Sequence, residues 1–460
     1  MSTQVILVVL DGLRPDLVNE KLTPHIHELG QCGVTFSKHH AVFPSVTRVN
    51  SASIATGCLP GRHGLVDNVM YVPSLFPDEL IDTGDHEQLR MLGALSGGKV
   101  LTAPTLTEKI SEAGLTSDVV TSSSSGACFL QDRAGTGTTL NPAYCEPAQI
   151  HFPDSLNSIP AKARPSEALN LWVIDAMLTL LRDDAPDLGI VWLCDPDHTQ
   201  HGFGPGAPES LEAIRIADNC VGALVEGVRA LGDETNVIVM SDHGWISYEA
   251  PLNVAASLFD SEPVRQAPKN SLTVAGQGLY LTDDIAPEDV LPCLMAVDGM
   301  GPVFTRQGTA GTFPFEAIGY EHSRSPDVLF APAWNTAPNG FGIEGMSRGS
   351  GPGGHGGSSP YEMNAMMVGS GPDFLSGLMS DIPTGHVDLH PTILHLLGIR
   401  AESQTDGRIL FEALRGGDAC SDLEVMSDST LVTSETREYR LYRSFVDDVC
   451  YTDQANLQRD

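Results

Sequence analysis

The feature that constrains this chain most is a set of apolar runs that stop on acidic residues. Val5-Ile-Leu-Val-Val-Leu10 is continuous, as a strand buried on both faces must be, and it stops at Asp11-Gly12. Gly189 to Cys194 stops at Asp195-Pro-Asp197, and Asn236 to Met240 stops at Ser241-Asp242-His243-Gly244. Asp118 to Thr121 reads as a further strand. Helices stand between them. Thr23-Pro24 opens one through about Leu29, since proline is tolerated in a first turn. Ser166 to Leu181 carries a buried-face period. Glu209 to Leu231 repeats apolar residues at Leu211, Ile214, Val221, Leu224, Val228 and Leu231, the spacing of an amphipathic helix. Strand-helix alternation of this kind predicts an α/β fold with a mainly parallel central sheet and helices on both faces.

At 460 residues the chain exceeds the size at which one core usually stops growing. The expected division is a catalytic α/β core over 1–245 and 351–400, a small α/β subdomain inserted at 246–350, and a C-terminal extension over 401–460 that packs on the core. Within the insert, Gly278 to Leu281 and Pro302 to Thr305 read as strands and Pro287 to Val297 as a helix. Asp388 to Leu397 resumes a helical pattern, and Leu431 to Tyr451 reads as strands. Ser122 to Gly137 and Ser347 to Ser359, rich in Gly and Ser, read as long loops.

Charge narrows the partners. The sum 26 − 59 gives −33, a surface that repels nucleic-acid backbones and anionic lipids. Neither a nucleic-acid polymer nor a membrane is expected. A small anionic substrate remains compatible, because bound divalent metals reverse the local field. No run approaches the roughly 18 apolar residues of a membrane span, and Val5 to Leu10 is too short for a secretory core. Nine cysteines without CxxC spacing fit reduced thiols, and the expected compartment is the cytoplasm. The oligomeric state is left open, a homodimer being compatible with the sequence.

The strand ends carry the chemistry. Open α/β sheets build their sites past the C-terminal ends of strands. Asp11, Asp197 and His201, and Asp242 with His243 follow three such ends, and Gly353-Gly-His355-Gly sits in a loop. Each segment alone reads as a turn or a helix cap. Together they offer six carboxylate and imidazole donors, enough for two divalent metals, zinc first, with manganese or iron as alternatives. Two such ions neutralise charge at a phosphoryl centre, which stays anionic throughout transfer. A fifth segment, Phe43-Pro-Ser-Val-Thr47-Arg-Val-Asn50, turns from loop into helix. Thr47 there reads as a nucleophile near a helix N-terminus, where free N–H groups favour phosphate, or simply as the N-cap. Asp195 and His198 are rival ligands by proximity.

In this order the segments resemble the alkaline phosphatase superfamily and, within it, the nucleotide pyrophosphatase/phosphodiesterase branch. The opening Val8-Val-Leu-Asp11-Gly, Thr47-Arg-Val-Asn50 with Thr56-Gly57 and Pro60-Gly-Arg-His63-Gly64, Pro196-Asp197 to His201, Ser241-Asp242-His243-Gly244 and Gly354-His355-Gly356 carry the likeness. The resemblance implies one metal on Asp197, His201 and His355, and another on Asp11, Asp242, His243 and the Thr47 oxygen. It selects Asp197 and His201 over the rivals and makes Asn50 a hydrogen-bond donor to a phosphoryl oxygen. It implies a phosphodiesterase working through a phosphothreonine on Thr47 upon a small phosphate ester. A phosphonate (phosphonoacetate-type) hydrolase or phosphomonoesterase with the same site is the alternative, and an inactive metal-binding protein is the reading from another class. Nucleotide-hydrolysing members usually carry an aromatic residue and a proline after the nucleophile. Arg48 and Val49 stand there, so no base-stacking ring comes with the likeness. A helical step of about 100° turns Arg48 away from the phosphoryl centre, towards a salt-bridge partner or a remote anionic part of the substrate.

Overall fold

A computed structural model describes residues 4–146, 156, 158–232, 235–268, 270–309, 311–400, 405–417, 423–434 and 437–458. The remaining parts of the expected 401–460 extension therefore lie outside the described residues.

The apolar runs form the middle of a nine-stranded sheet. Its strands are β1 (Gln4–Leu10), β2 (Val34–Phe36), β3 (Ser117–Thr121), β4 (Thr138–Asn141), β5 (Tyr144–Glu146), β6 (Leu188–Leu193), β7 (Thr235–Met240), β8 (Met367–Ser370) and β9 (Leu378–Ser380). The spatial order is β9-β2-β8-β7-β1-β6-β3-β4-β5. β7, β1, β6, β3 and β4 run parallel, and β8 and β5 are antiparallel to their neighbours. The register aligns Val9 of β1 with Met240 of β7 and Leu10 with Leu193 of β6. Asp11, the Asp195–Asp197 turn and Asp242 consequently leave the sheet at one level. That alignment assembles the site.

Alternate β1 side chains serve two cores. Ile6, Val8 and Leu10 pack with residues of α1 (Pro24–Cys32), α3 (Glu167–Asp183) and α5 (Pro208–Leu231). Val5, Leu7 and Val9 pack on the other face against Ile54 of α2 (Thr47–Thr56) and Leu389, Ile393 and Leu394 of α6 (Leu389–Leu396), α4 being the short helix Asp197–Phe203. Burying both faces is the cause of the continuous apolar composition.

The insert contains a five-stranded sheet and a cluster of its own around Leu258, Leu279, Val290, Leu294 and Val303. Its flanks, Ile246–Ala250 and Asn335–Gly354, form a separate four-stranded sheet beside the core, so the expected boundaries fall inside a paired structure. Three antiparallel strands over Val425–Leu457 meet both core and insert through Tyr439, Leu441 and Ala455, packed with Phe43 and Phe304. Two expected loops are corrected. Ser125–Gln131 is a helix whose N-cap hydroxyl, on Ser124, accepts from Ala127 N–H: the serine run is a cap, not only a linker. Within Ser347–Ser359, Ser347 and Arg348 end the strand Glu344–Arg348, and Gly353–Gly354 is another strand. No helix among the described residues is long and apolar enough to cross a membrane.

Candidate metal centre and nucleophile

The strand-end residues meet in two groups. In one, ligand atoms of Asp197, His201 and His355 lie within 4.8 Å of one another; in the other, those of Asp11, Asp242 and His243 do. Asp197 opens α4, and His201 follows one turn later on the same face. His243 and His355 stack with centroids 3.6 Å apart, so the groups are contiguous. Gly12 permits this approach. Its φ is +72°, a Cβ would stand 3.1 Å from the Asp197 Cβ, and its N–H donates to Asp242 Oδ1 at 3.0 Å.

The imidazole tautomers are fixed from behind. His355 Nδ1–H donates to the Ser45 carbonyl and His243 Nδ1–H to the Gly244 carbonyl, both at 2.9 Å. Each ring therefore turns an Nε2 lone pair inward, the arrangement that orients metal-binding histidines. Those lone pairs face carboxylate oxygens. His355 Nε2 lies 3.3 Å from Asp197 Oδ1, and His243 Nε2 lies 3.2 Å from Asp242 Oδ2 and 3.6 Å from Asp11 Oδ1. These three oxygens are buried without a hydrogen-bond partner. Lone pair against carboxylate is repulsive unless a cation lies between them. The donor set fits two divalent ions.

Electrostatics agree. Burial, then the Asp197 charge, pushes Asp11 up to about 7. Burial, then Asp11, pushes Asp242 well above the ordinary carboxylate range. Burial would also raise Asp197, but positive charge beside it, a protonated His201 imidazole first, holds it low. Three enclosed carboxylates cannot all ionise without positive charge among them. Around them, Ser123 Oγ and Trp192 Nε1 donate to Asp11 Oδ2 at 3.0 and 3.2 Å.

Thr47 is the first residue of α2. The N-cap is Val46, which makes no side-chain cap bond, and the Thr47 hydroxyl instead stands 3.2 Å from His243 Nε2. The N-cap reading of Thr47 is thereby excluded. The rivals stay outside both groups. Asp195 is buried and accepts from Ser166 N–H, Asn170 Nδ2, Thr199 N–H and the Thr199 hydroxyl, a structural anchor. His198 belongs to neither group. Arg48 turns aside as the helical step requires, with its guanidinium against Gly84 and near Asp67, whose carboxyl burial pushes up to about 6 against the smaller opposing pull of backbone N–H groups and Arg48.

Asn50 corrects the expectation. It is fully enclosed, its Nδ2 donates to the Val42 and Val46 carbonyls at 3.1 and 3.0 Å, and its Oδ1 accepts from Val42 N–H at 2.7 Å. No donor is left for a phosphoryl oxygen. Sequence reasoning passed over Asn68. Its Oδ1 accepts from Arg48 N–H at 3.1 Å, at the N-terminus of α2, and its Nδ2 has no acceptor among the described residues. The only signal in the sequence is its place four residues after Gly64 in the return loop.

The profile of the type I phosphodiesterase / nucleotide pyrophosphatase family matches residues 5–335, which include every candidate ligand except His355. A venom phosphodiesterase of Macrovipera lebetinus is 29% identical over 249 residues, 53% of this chain and 26% of its own. Ectonucleotide pyrophosphatase/phosphodiesterase family member 3 of Mus musculus is 26% identical over 244 residues, 52% of this chain and 24% of its own. The chain thus spans about a quarter of the length of such curated relatives. Murine ectonucleotide pyrophosphatase/phosphodiesterase 5 superposes with a TM-score of 0.66 at 18% identity, over 90% of this chain and 100% of that one. With strand ends, ligand groups and matched segments in agreement, this chain belongs to the type I phosphodiesterase / nucleotide pyrophosphatase family.

Proposed function

We propose that this protein is a metal-dependent phosphodiesterase that works through a phosphothreonine on Thr47. One observation carries the reading: the Thr47 hydroxyl stands 3.2 Å from an inward lone pair of His243, beside buried carboxylate oxygens that have no other partner. The relatives named phosphodiesterases support the reaction class, and an inactive threonine-to-alanine variant of the murine relative, solved with AMP, supports a threonine as the reacting group.

Asp197, His201 and His355 would hold one ion, and Asp11, Asp242, His243 and the Thr47 oxygen the other. Mixed imidazole and carboxylate donors suit zinc, with manganese and iron next. When bound, the ions supply Lewis acidity and charge neutralisation at the phosphoryl group. The chain does the rest. Thr47 Oγ forms the bond to phosphorus as the bond to the leaving oxygen breaks, and the α2 N-terminus faces the anionic oxygens. Asn68 Nδ2 is the donor free to meet one of them. Water then forms the second bond to phosphorus, the Thr47 oxygen departs, and the hydroxyl is restored. A neutral amide as the polar contact suits a diester, which carries one charge less than a monoester.

The test is turnover of bis-p-nitrophenyl phosphate, p-nitrophenyl phosphate and phosphonoacetate, each with and without chelator. The reading expects the diester to be preferred and activity to vanish on chelation. A chelator-resistant rate, or turnover of phosphonoacetate alone, would overturn it.

A further inference from the structure

Asn50 lies three residues after Thr47 on α2, yet its amide is committed to the segment that leads into that helix. Bonds from Nδ2 to the Val42 and Val46 carbonyls, and from Val42 N–H to Oδ1, close residues 42–46 onto the helix they precede. The same segment supplies the Ser45 carbonyl that fixes His355. A single amide therefore sets the path of the chain into the nucleophile and touches the support of a candidate ligand.

His386 completes the arrangement. It is fully buried in the short turn His386–Asp388, immediately before α6. Its Nδ1 lies 2.8 Å from Asn50 Oδ1, and its Nε2 lies 3.1 Å from the Ser241 carbonyl, one residue before Asp242. The ring thus fills the space between the nucleophile segment and the turn that carries Asp242 and His243. Two nitrogens facing two oxygen acceptors call for two ring protons. Burial pushes the pKa down to about 3, so the ring is neutral and donates to one of the two acceptors at a time, Asn50 Oδ1 being the nearer.

We propose that Asn50 and His386 form a positioning pair that holds Thr47 at its distance from the Asp242–His243 turn, neither residue touching substrate. The inference rests on the reading of Thr47 as nucleophile. Its energetic basis is the narrow tolerance of in-line attack, in which a displacement of about 1 Å costs about a hundredfold in rate. Asn50 could not act otherwise, because both its donor and its acceptor sides are occupied inside the fold.

Four metal-loaded variants test the pair: Asn50→Asp, His386→Phe, His386→Asn and the double variant Asn50→Asp with His386→Phe. Asn50→Asp keeps the shape and the acceptor but loses both donated bonds. His386→Phe fills the space without a hydrogen bond, whereas His386→Asn puts an N–H donor where Nδ1 stood. The proposal expects kcat on bis-p-nitrophenyl phosphate to fall about tenfold to a hundredfold in Asn50→Asp and His386→Phe, with KM within about twofold and two metal equivalents retained. His386→Asn should recover most of the loss, and the double variant should fall short of the product of the single losses. Crystal structures of wild type and His386→Phe read the geometry without turnover. The Thr47–His243 separation, 3.2 Å here, should open beyond hydrogen-bond reach in the variant. An unchanged separation, a kcat within twofold of wild type, multiplicative losses, or a kcat loss matched by lost metal would each overturn the pair. If wild type hydrolyses none of the esters, the proposed function falls, and the crystal comparison alone decides the positioning. If Asn50→Asp does not fold, the two His386 variants decide it.

Discussion

His243 and His355 stack their imidazoles 3.6 Å apart and 11° from parallel, and this contact joins two groups of ligand-type residues whose members interleave along the sequence. Each ring is held by a backbone carbonyl on its Nδ1 side and faces a carboxylate on its Nε2 side. Because the rings belong to different groups, they can be emptied separately.

His355→Ala and Asp242→Asn should each lower bound metal from two equivalents to about one, because they belong to different sites. Elemental analysis after dialysis reads this. Two ions retained in both variants would show that the ligand sets are wrong.

Asp195→Asn should behave differently. The side chain accepts four hydrogen bonds in the core, so the change should cost about 1–3 kcal/mol of stability while both metals remain. Denaturant unfolding and metal analysis on one preparation check both halves. Metal loss without destabilisation would promote Asp195 to a ligand.

Glu362 gives a pH signature. Burial pushes its carboxyl up to about 7, although Gly357 N–H and the Ser359 hydroxyl donate to it and so tie down the loop after His355. A raised folded pKa means that the folded chain holds this proton more tightly than the unfolded one. Its contribution is greatest below the ordinary value of 4.5 and is lost as pH rises towards about 7. Metal-free protein should therefore lose stability across that window, and Glu362→Gln should flatten the slope. A variant with the wild-type slope would remove Glu362 from the account.

Asn68→Ala should reduce kcat by about a hundredfold or more, as loss of an oxyanion donor does elsewhere, with little change in Tm or metal content. Asn68→Asp should do no better, since it replaces the donor with a charge. Wild-type kcat in Asn68→Ala would leave the phosphoryl oxygens to the metals and the helix terminus.

The core and the grouping of the candidate ligands were legible because one physical demand fixes both. A strand buried on both faces must be apolar until it leaves the sheet, so Asp11, Asp197 and Asp242 mark the ends of their strands in the sequence itself. What lay beyond local pattern was orientation. Asn50 is one helical turn from Thr47, and spacing alone cannot tell that its amide turns to Val42 and His386, a partner 336 residues away. Asn68 was missed for the converse reason: its relation to Arg48 N–H exists only once the return loop is folded against α2. The helix Ser125–Gln131 was hidden because a serine run serves caps and loops alike.

The central claim is that Thr47 is the nucleophile, and Thr47→Ala measures it most directly. The variant should fold, bind two metals and lose kcat on bis-p-nitrophenyl phosphate by at least about a thousandfold, while Thr47→Ser retains part of the rate. Retention of more than about a tenth of wild-type kcat in Thr47→Ala, with both metals in place, would contradict the mechanism.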